Sequence, residues 1–176
     1  IVTPLYTNSF YNGLPPTAYV FDTTSPILLS FDFSYNTGVL TLFFSEVVDL
    51  AFFNYSKITL STDKVVTGST TLVSVNAPGP PVALLANFMN VTIVGHELDQ
   101  LRVQPKLFKD IAHSFIILAP GAVVDAAQLA NPYLGLDATP TNAMQIDQLQ
   151  QDTIPPVLKS FAVDMNAQTI TLTLSK

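Results

Sequence analysis

Residue types that could act as catalysts occur together in two short stretches. His96, Glu97 and Asp99 are close in sequence, but the second histidine that a zinc-protease helix carries four positions after the first is missing. His113 precedes Ser114 without the Gly-x-Ser-x-Gly turn of a serine hydrolase. We therefore predict a charged cluster near the start of a helix for the first stretch and an ordinary strand serine in the second.

Glu46 and Asp49 form a third candidate, which we place just after a predicted strand. Two carboxylates on either side of a glycosidic bond can hydrolyse it. The chain contains a repeat, however, and Lys176 stands in the second copy where the first has Glu46. This difference argues against a catalytic carboxylate belonging to the repeat, and we expect a protein that is not an enzyme.

The repeat organises the chain. Residues 22–46 and 152–176 are identical at ten of 25 aligned positions, 130 residues apart, and both begin with Asp-Thr. A fixed period is typical of modular arrays. We divide the chain into a linker or the end of a preceding module (1–21), one complete module (22–151) and the start of the next (152–176).

Each copy predicts two strands joined by a turn. Along the second strand of the first copy, Leu40, Leu42 and Phe44 alternate with Val39, Thr41 and Phe43, so we expect the first set to face the core. In the first strand, apolar residues three positions apart recur in both copies, which indicates a β-bulge. The turn between the strands, residues 35–38, contains Asn and Gly, which tolerate a positive φ.

An aspartate opens each copy, Asp22 in the first and Asp152 in the second, at the predicted junction between modules. With loop oxygens from Asp125, Asp137 or Asp147, these carboxylates could hold Ca²⁺, which prefers oxygen ligands. An aspartate at such a position also forms an Asx-turn with its own backbone. The sequence leaves both readings open, and calcium is the one cofactor that it suggests.

Two triplets satisfy the Asn-x-Ser/Thr pattern for N-glycosylation, at Asn54 and at Asn90. Asn54 is predicted in a loop that enters a strand, which suits a glycan. Asn90 is predicted at the start of a strand, which is less suitable. Both matter only for a secreted chain.

Composition limits the fold and the partners. The 176 residues carry a net charge of −6 with only seven Lys and Arg residues, so we expect no nucleic-acid partner. No apolar run reaches the roughly 18–20 residues of a membrane helix, so we expect no membrane span. Without cysteine there are no disulfides or thiolate metal sites. Abundant Thr, Ser, Asn and Val favour an all-β fold.

We predict an antiparallel β-sandwich with one short helix. The predicted strands are 26–33, 39–45, 57–61, 70–76, 90–94, 114–118, 122–124 and 144–149. The helix lies within 96–110, crosses from one sheet to the other, and is kept short by Pro105.

The pattern Asp-Thr-x-x-Pro-x-Leu-x-Ser-Phe, followed by Gly-x-Leu-Thr-Leu-x-Phe-Ser-Glu-x-Val, resembles tandem Ig-like repeats of large extracellular surface proteins. These repeats are similar to S-layer and adhesin Ig-like modules. The likeness covers 22–151 and restarts at Asp152. Where that family often has an Asp-x-Ala-Gly-Asn turn, residues 125–129 read Asp-Ala-Ala-Gln-Leu, which weakens a metal-binding role there.

The resemblance implies an extracellular or cell-surface location and a structural role in a coat, fibre or appendage. Two alternatives remain open at this point. The module could be an adhesin that binds a glycan or a protein, or it could be an accessory domain of a carbohydrate-active enzyme.

Self-association is the remaining prediction. Val39 and Phe43 face outward in the predicted strand and would form an apolar patch, which monomers seldom expose. A lone hairpin from residues 157–176 would be only marginally stable in water. We therefore expect neighbouring Ig-like modules and a filament or sheet of copies in which both surfaces are covered.

Overall fold

A computed structural model describes residues 18, 20–66, 72–74, 85–135 and 143–175. Strands dominate this part of the chain, which confirms the all-β class. The strands are β1 (Leu28–Ser34), β2 (Val39–Asp49), β3 (Ile58–Ser61), β4 (Leu72–Ser74), β5 (Leu85–Thr92), β6 (Phe115–Leu118), β7 (Val124–Asp125), β8 (Met144–Gln145), β9 (Gln148–Gln150), β10 (Leu158–Asp164) and β11 (Thr169–Leu174). The α-helix is α1 (His96–Val103), and short 3-10 turns span Leu50–Phe52, Tyr55–Lys57 and Ile111–His113.

The first nine strands, β1 to β9, belong to two sheets. The five-stranded sheet has the order β5-β2-β1-β9, and β7 pairs with the far end of β2. The four-stranded sheet has the order β4-β3-β6-β8. Every pairing in the two sheets is antiparallel except β1 with β9, which is parallel. Hydrogen bonds therefore join β1 to β9, the last strand before the second copy of the repeat.

The β1–β2 hairpin has the features that its sequence predicts. Its register shifts between Leu28 and Ser30, which is the expected bulge. Leu40, Leu42 and Phe44 are buried, and the residues between them are partly exposed. The predicted alternation is therefore confirmed, because every second side chain of a strand points to the same face.

Both sheets contribute to one buried cluster. Phe31 and Leu42 come from the five-stranded sheet, and Ile58 and Ile116 come from the four-stranded sheet. All four side chains are inaccessible to solvent. Burial of this shared cluster supplies the main driving force for packing the two sheets together.

Helix α1 connects β5 of one sheet to β6 of the other, as predicted. It ends at Val103, two residues before Pro105, and buries Leu98 and Leu101. Proline lacks the N–H that the next helical hydrogen bond would use, so the helix stops before it. The helix thereby forms the end of the module at which the β1–β2 turn lies.

Several predicted boundaries were wrong. Strand β2 continues to Asp49, so Glu46 lies inside the strand and not after it. Strand β5 begins at Leu85, so Asn90 lies within this strand instead of beginning it. The predicted last strand is divided into β8 and β9, because Ile146 N–H donates to Ser114 O at 2.9 Å in one sheet while Asp147 N–H donates to Phe31 O at 2.9 Å in the other.

Strands β10 and β11 form a separate two-stranded sheet. Their register shifts between Leu158 and Ser160, at the positions equivalent to the bulge in β1. All side chains of the two strands are exposed. The second copy therefore repeats the hairpin of the first without a covering core.

Candidate functional site

Three carboxylates meet beside the far end of β2. Their oxygens lie within 4.8 Å of one another, one each from Asp22, Glu46 and Asp125. The pairing of β7 with β2 places Asp125 opposite Val48, close to Glu46 on the same strand. Asp22 joins them from the segment that leads into β1.

Hydrogen bonds fix two of these carboxylates. Asp125 is buried and accepts from the Asn131 backbone N–H at 2.7 Å and from Asn131 Nδ2 at 2.8 Å. Asn131 Nδ2 also donates to the Asp22 backbone oxygen at 3.0 Å. Asp22 Oδ1 accepts from the Thr24 N–H at 2.8 Å, which forms the Asx-turn that is one of the two predictions for this residue. Both aspartates are thus held in place by backbone groups.

Glu46 is the exception in this cluster. Its Oε1 is buried and has no hydrogen-bond partner among the residues that the structure describes. Burial raises the pKa of Glu46 above its ordinary value, and the neighbouring Asp125 and Asp22 charges raise that pKa further. Close carboxylates are hard ligands that suit Ca²⁺. Calcium binding nevertheless stays a prediction of the sequence.

The structure separates the predicted calcium ligands. Asp22 and Asp125 come together. Asp152 instead forms an ion pair with the helix residue Arg102, with Oδ2 3.1 Å from Arg102 Nε. Asp137 is outside the described residues. Glu46 was not among the predicted calcium ligands, although the replacement of Glu46 by Lys176 in the repeat marks this position as one whose charge differs between copies.

A second polar arrangement joins the start of the second copy to the first module. Asn36, in the β1–β2 turn, donates from Nδ2 to Thr153 Oγ1 at 2.9 Å and accepts from the Thr153 N–H at Oδ1 at 3.0 Å. Because a backbone N–H can only donate, the second bond fixes the orientation of the Asn36 amide. Asp152 Oδ1 meanwhile accepts from the Ile154 N–H at 3.1 Å in its own Asx-turn.

Neighbouring contacts reinforce this junction. Arg102, on α1, also binds Asp99 at 2.9 Å, and about a quarter of the Arg102 and Asp152 side chains is exposed. The Tyr35 N–H donates to Gln150 O at 3.0 Å, and Gln151 Nε2 donates to Lys109 O at 2.7 Å. Residues 150–153 are therefore bound to the turn and to the helix end of the module.

The outward face of the five-stranded sheet carries a shallow groove of about 720 Å³. Val39, one of the two predicted assembly contacts, lines it. The other, Phe43, is partly exposed and stacks against Phe88 with ring centroids 6.5 Å apart. Six of the nine residues that line the groove have polar side chains: Asp32, Ser34, Thr37, Thr41, Gln148 and Gln150.

Both asparagines of the glycosylation triplets are exposed. Asn54 precedes a 3-10 turn, and its Oδ1 accepts from Ser56 N at 3.1 Å and Ser56 Oγ at 2.7 Å. Asn90 is on strand β5, where its Oδ1 accepts from Thr41 Oγ1 at 2.9 Å. The turn position leaves Asn54 the more accessible to a glycosylating enzyme.

The catalytic candidates engage in local contacts. His96 lies 3.4 Å from Gln100 Nε2 one helical turn later. His113 Nδ1 lies 2.8 Å from Asp110 Oδ1, and this hydrogen bond lowers the pKa of Asp110. Ser114 is buried, and its hydroxyl donates to the Asp110 backbone oxygen at 2.5 Å. Each of these contacts is to a residue no more than four positions away in the chain.

Comparison with known proteins gives no match to this chain among family models, curated proteins or solved structures. In the described part of the chain, no helix is both long and apolar enough to cross a membrane.

Proposed function

We propose that residues 22–151 are an Ig-like β-sandwich module of a long extracellular repeat protein, with a structural role in a surface coat, fibre or appendage. The observation that carries this proposal is the second hairpin, which repeats the first in register and bulge while its core positions face solvent. Such a hairpin needs further strands to cover it. In this proposal, a second module of the same kind supplies them.

Strand order supports the Ig-like assignment. When the strands are lettered in chain order, the neighbours β5-β2-β1 correspond to strands E-B-A of one Ig-type sheet. The neighbours β3-β6-β8 correspond to strands C-F-G of the opposite sheet. Strand β4 adds to the C strand, as an extra strand does in variable-type domains. A shared core between the two sheets is the packing that this architecture requires.

The reading frame of the parent gene tests the array. We expect further copies of the Asp-Thr…Pro-x-Leu-x-Ser-Phe pattern at a period of about 130 residues. A biochemical test compares hydrogen exchange of residues 158–175 in this chain and in the longer parent protein. Slow exchange only in the parent supports a completed second module, and fast exchange in both contradicts it.

Self-association is part of the proposed role. Phe43, Phe88 and Val39 lie on one outward face, which a neighbouring copy could cover. Residues 157–176 offer a second apolar surface, either to strands of the next module or to a sheet edge of a neighbouring molecule. Sedimentation over a range of protein concentrations tests assembly, and a protein that stays monomeric at high concentration argues against it.

A binding role is the second candidate, and the groove on the outward face of the five-stranded sheet favours it. Amide and hydroxyl groups such as those of Gln148, Gln150 and Thr41 can hydrogen-bond a sugar, and Phe43 and Phe88 offer an aromatic edge beside them. The module would then act as an adhesin or as an accessory domain of a carbohydrate-active enzyme. Glycan titration followed by NMR tests this role, with Gln148→Ala expected to abolish shifts that Thr59→Ala leaves intact.

An extracellular location is included in the proposal. The exposed turn position of Asn54 suits a glycan, and Asn90 is the weaker site because its side chain is bound to Thr41 on the sheet. Intact-mass measurement of protein from its native source, before and after glycosidase treatment, should show loss of a glycan. An unmodified Asn54 peptide would remove this support.

A further inference from the structure

The junction between the two copies is a two-point contact to a single threonine. Asn36 both donates to the Thr153 hydroxyl and accepts from the Thr153 N–H. Beside it, Arg102 binds Asp152, whose Asx-turn fixes the backbone that presents Thr153. We name these four residues the junction clasp. The clasp recognises an Asp-Thr pair by hydrogen bonds and charge.

Both halves of this clasp recur in the sequence repeat. The Asp-Thr half is present again as Asp22-Thr23, and the asparagine half is present again as Asn166, equivalent to Asn36. Asp22 forms the same Asx-turn as Asp152, with Thr24 N–H in place of Ile154 N–H. Thr23 and Asn166 are both exposed to solvent.

Local geometry makes the first copy ready for the same contact. In an Asx-turn the aspartate side chain fixes the backbone that follows it, so the Thr23 backbone N–H is presented as that of Thr153 is. Asp22 likewise corresponds to the carboxylate that binds Arg102. The surface at Asp22-Thr23 therefore fits a turn asparagine and a helix arginine from another copy of this module.

We infer that the junction clasp is the repeated head-to-tail connector of the array, in which Asp22-Thr23 docks on the asparagine and arginine of a preceding module. Asn166 in turn receives the Asp-Thr pair of a following module. This inference rests on the modular function proposed above and adds the residues through which modules meet. It also brings an arginine to the acidic cluster at Asp22, where the positive charge offsets the carboxylates.

The test uses the whole chain with one copy inserted, so that residues 1–151 are followed directly by residues 22–176. In this protein, Thr23 of the inserted copy takes the place of Thr153 at the first junction. Segmental ¹⁵N labelling distinguishes the two copies, and Thr23 of the first copy serves as the internal control. We expect the Thr23 amide of the inserted copy to exchange at least about tenfold more slowly, a difference of roughly 1.4 kcal/mol in the opening equilibrium.

Substitutions in the first copy define the contact. Asn36→Ala should remove the added protection of the inserted Thr23, while Thr37→Ala, in the same turn, should leave it unchanged. Equal exchange of the two Thr23 amides in a protein whose two modules are both folded would overturn the clasp and leave the modular function standing. An inserted copy that fails to fold would overturn the modular function and the clasp together.

Discussion

The two hairpins of this chain have the same local structure in opposite surroundings. In both, a serine hydroxyl accepts from a backbone N–H at 2.9 Å across the strand ends, Ser45 with Ile27 and Ser175 with Val157. Phe31 is fully buried in the first hairpin, while its equivalent Phe161 is 67 % exposed. Leu42 is fully buried, and its equivalent Leu172 is 60 % exposed. The hairpin conformation therefore does not depend on the core that covers it.

The difference has an energetic consequence. Six apolar side chains of the second hairpin occupy positions that are buried in the first: Leu158, Phe161, Val163, Ile170, Leu172 and Leu174. Covering them would contribute on the order of 5–10 kcal/mol from the hydrophobic effect, which is comparable to the stability of a whole domain. This gain is the physical reason to expect that the second hairpin is covered in the assembled protein.

The largest contrast is expected between Phe31→Ala and Phe161→Ala. Removal of the buried ring leaves a cavity and should lower the free energy of unfolding by about 3–5 kcal/mol. The same change in the exposed hairpin should alter it by less than about 0.5 kcal/mol. Urea denaturation measures both. Similar losses for the two variants would mean that the second hairpin is already packed against a core in this chain.

A second contrast concerns the hairpin turns. Gly38 has a φ of +70°, and an added Cβ would lie 2.3 Å from the Ile93 backbone oxygen. Gly38→Ala should therefore cost about 2–3 kcal/mol in thermal or chemical unfolding. Gln168, the equivalent residue, has a φ of 55° in the exposed hairpin. Gln168→Gly should leave global unfolding unchanged, because Gln168 is exposed to solvent.

This turn also limits how closely the two copies can correspond. In the first copy, a side chain at the equivalent position, Gly38, would collide with the Ile93 backbone oxygen. If a further module covers the second hairpin, its equivalent of Ile93 must lie farther from the turn, because Gln168 carries a side chain. A loss of stability in Gln168→Gly as large as that in Gly38→Ala would contradict this distinction.

The third contrast compares outward positions. Phe43 and Thr173 are equivalent in register, opposite Ser30 and Ser160. If the Phe43 face is a contact between copies, Phe43→Ser should raise the dissociation constant of self-association by about tenfold. Thr173→Ser serves as the matched control. Sedimentation equilibrium measures association, and circular dichroism should show an unchanged fold.

The smallest expected effect concerns Glu46, whose counterpart is Lys176. Because the pKa of Glu46 is raised, the folded state binds more protons than the unfolded state between the ordinary pKa and the raised one. Stability therefore falls as the pH rises through that window. Glu46→Gln removes the free-energy cost of keeping this carboxyl ionised in the folded state, and it should stabilise the protein by a few tenths to about 1 kcal/mol near pH 7. Little gain should remain near pH 3, where the carboxyl is protonated in both states.

Calcium gives the complementary measurement at the same cluster. If Ca²⁺ binds to Asp22, Glu46 and Asp125, calcium at about ten times its dissociation constant should stabilise the protein by about 1.4 kcal/mol. Glu46→Lys, which reproduces the second copy, should abolish this gain. Thermal unfolding with calcium and with chelator measures it. Equal stability under both conditions would leave the aspartates as turn formers only.

The hairpin, its bulge and its turn could be predicted from the sequence, because they depend on residues near one another in the chain. Strand alternation at Leu40–Phe44 and the short helix before Pro105 are local in the same sense. Element ends were less predictable. Strand β2 runs on to Asp49 because distant segments, β5 and β7, pair with its far end.

By itself, the sequence determined that the chain carries the same hairpin twice, since period-two alternation and turn residues act within each copy. Only the tertiary structure decided which copy is covered, because the burial of Phe31 requires strands that lie far from it in the chain. The acidic cluster and the junction likewise depend on contacts between residues that lie far apart in the chain. Asp22, Glu46 and Asp125 meet through the pairing of β7 with β2, while Asp152 is drawn to Arg102 on the helix. Two aspartates in equivalent sequence positions therefore acquire different partners.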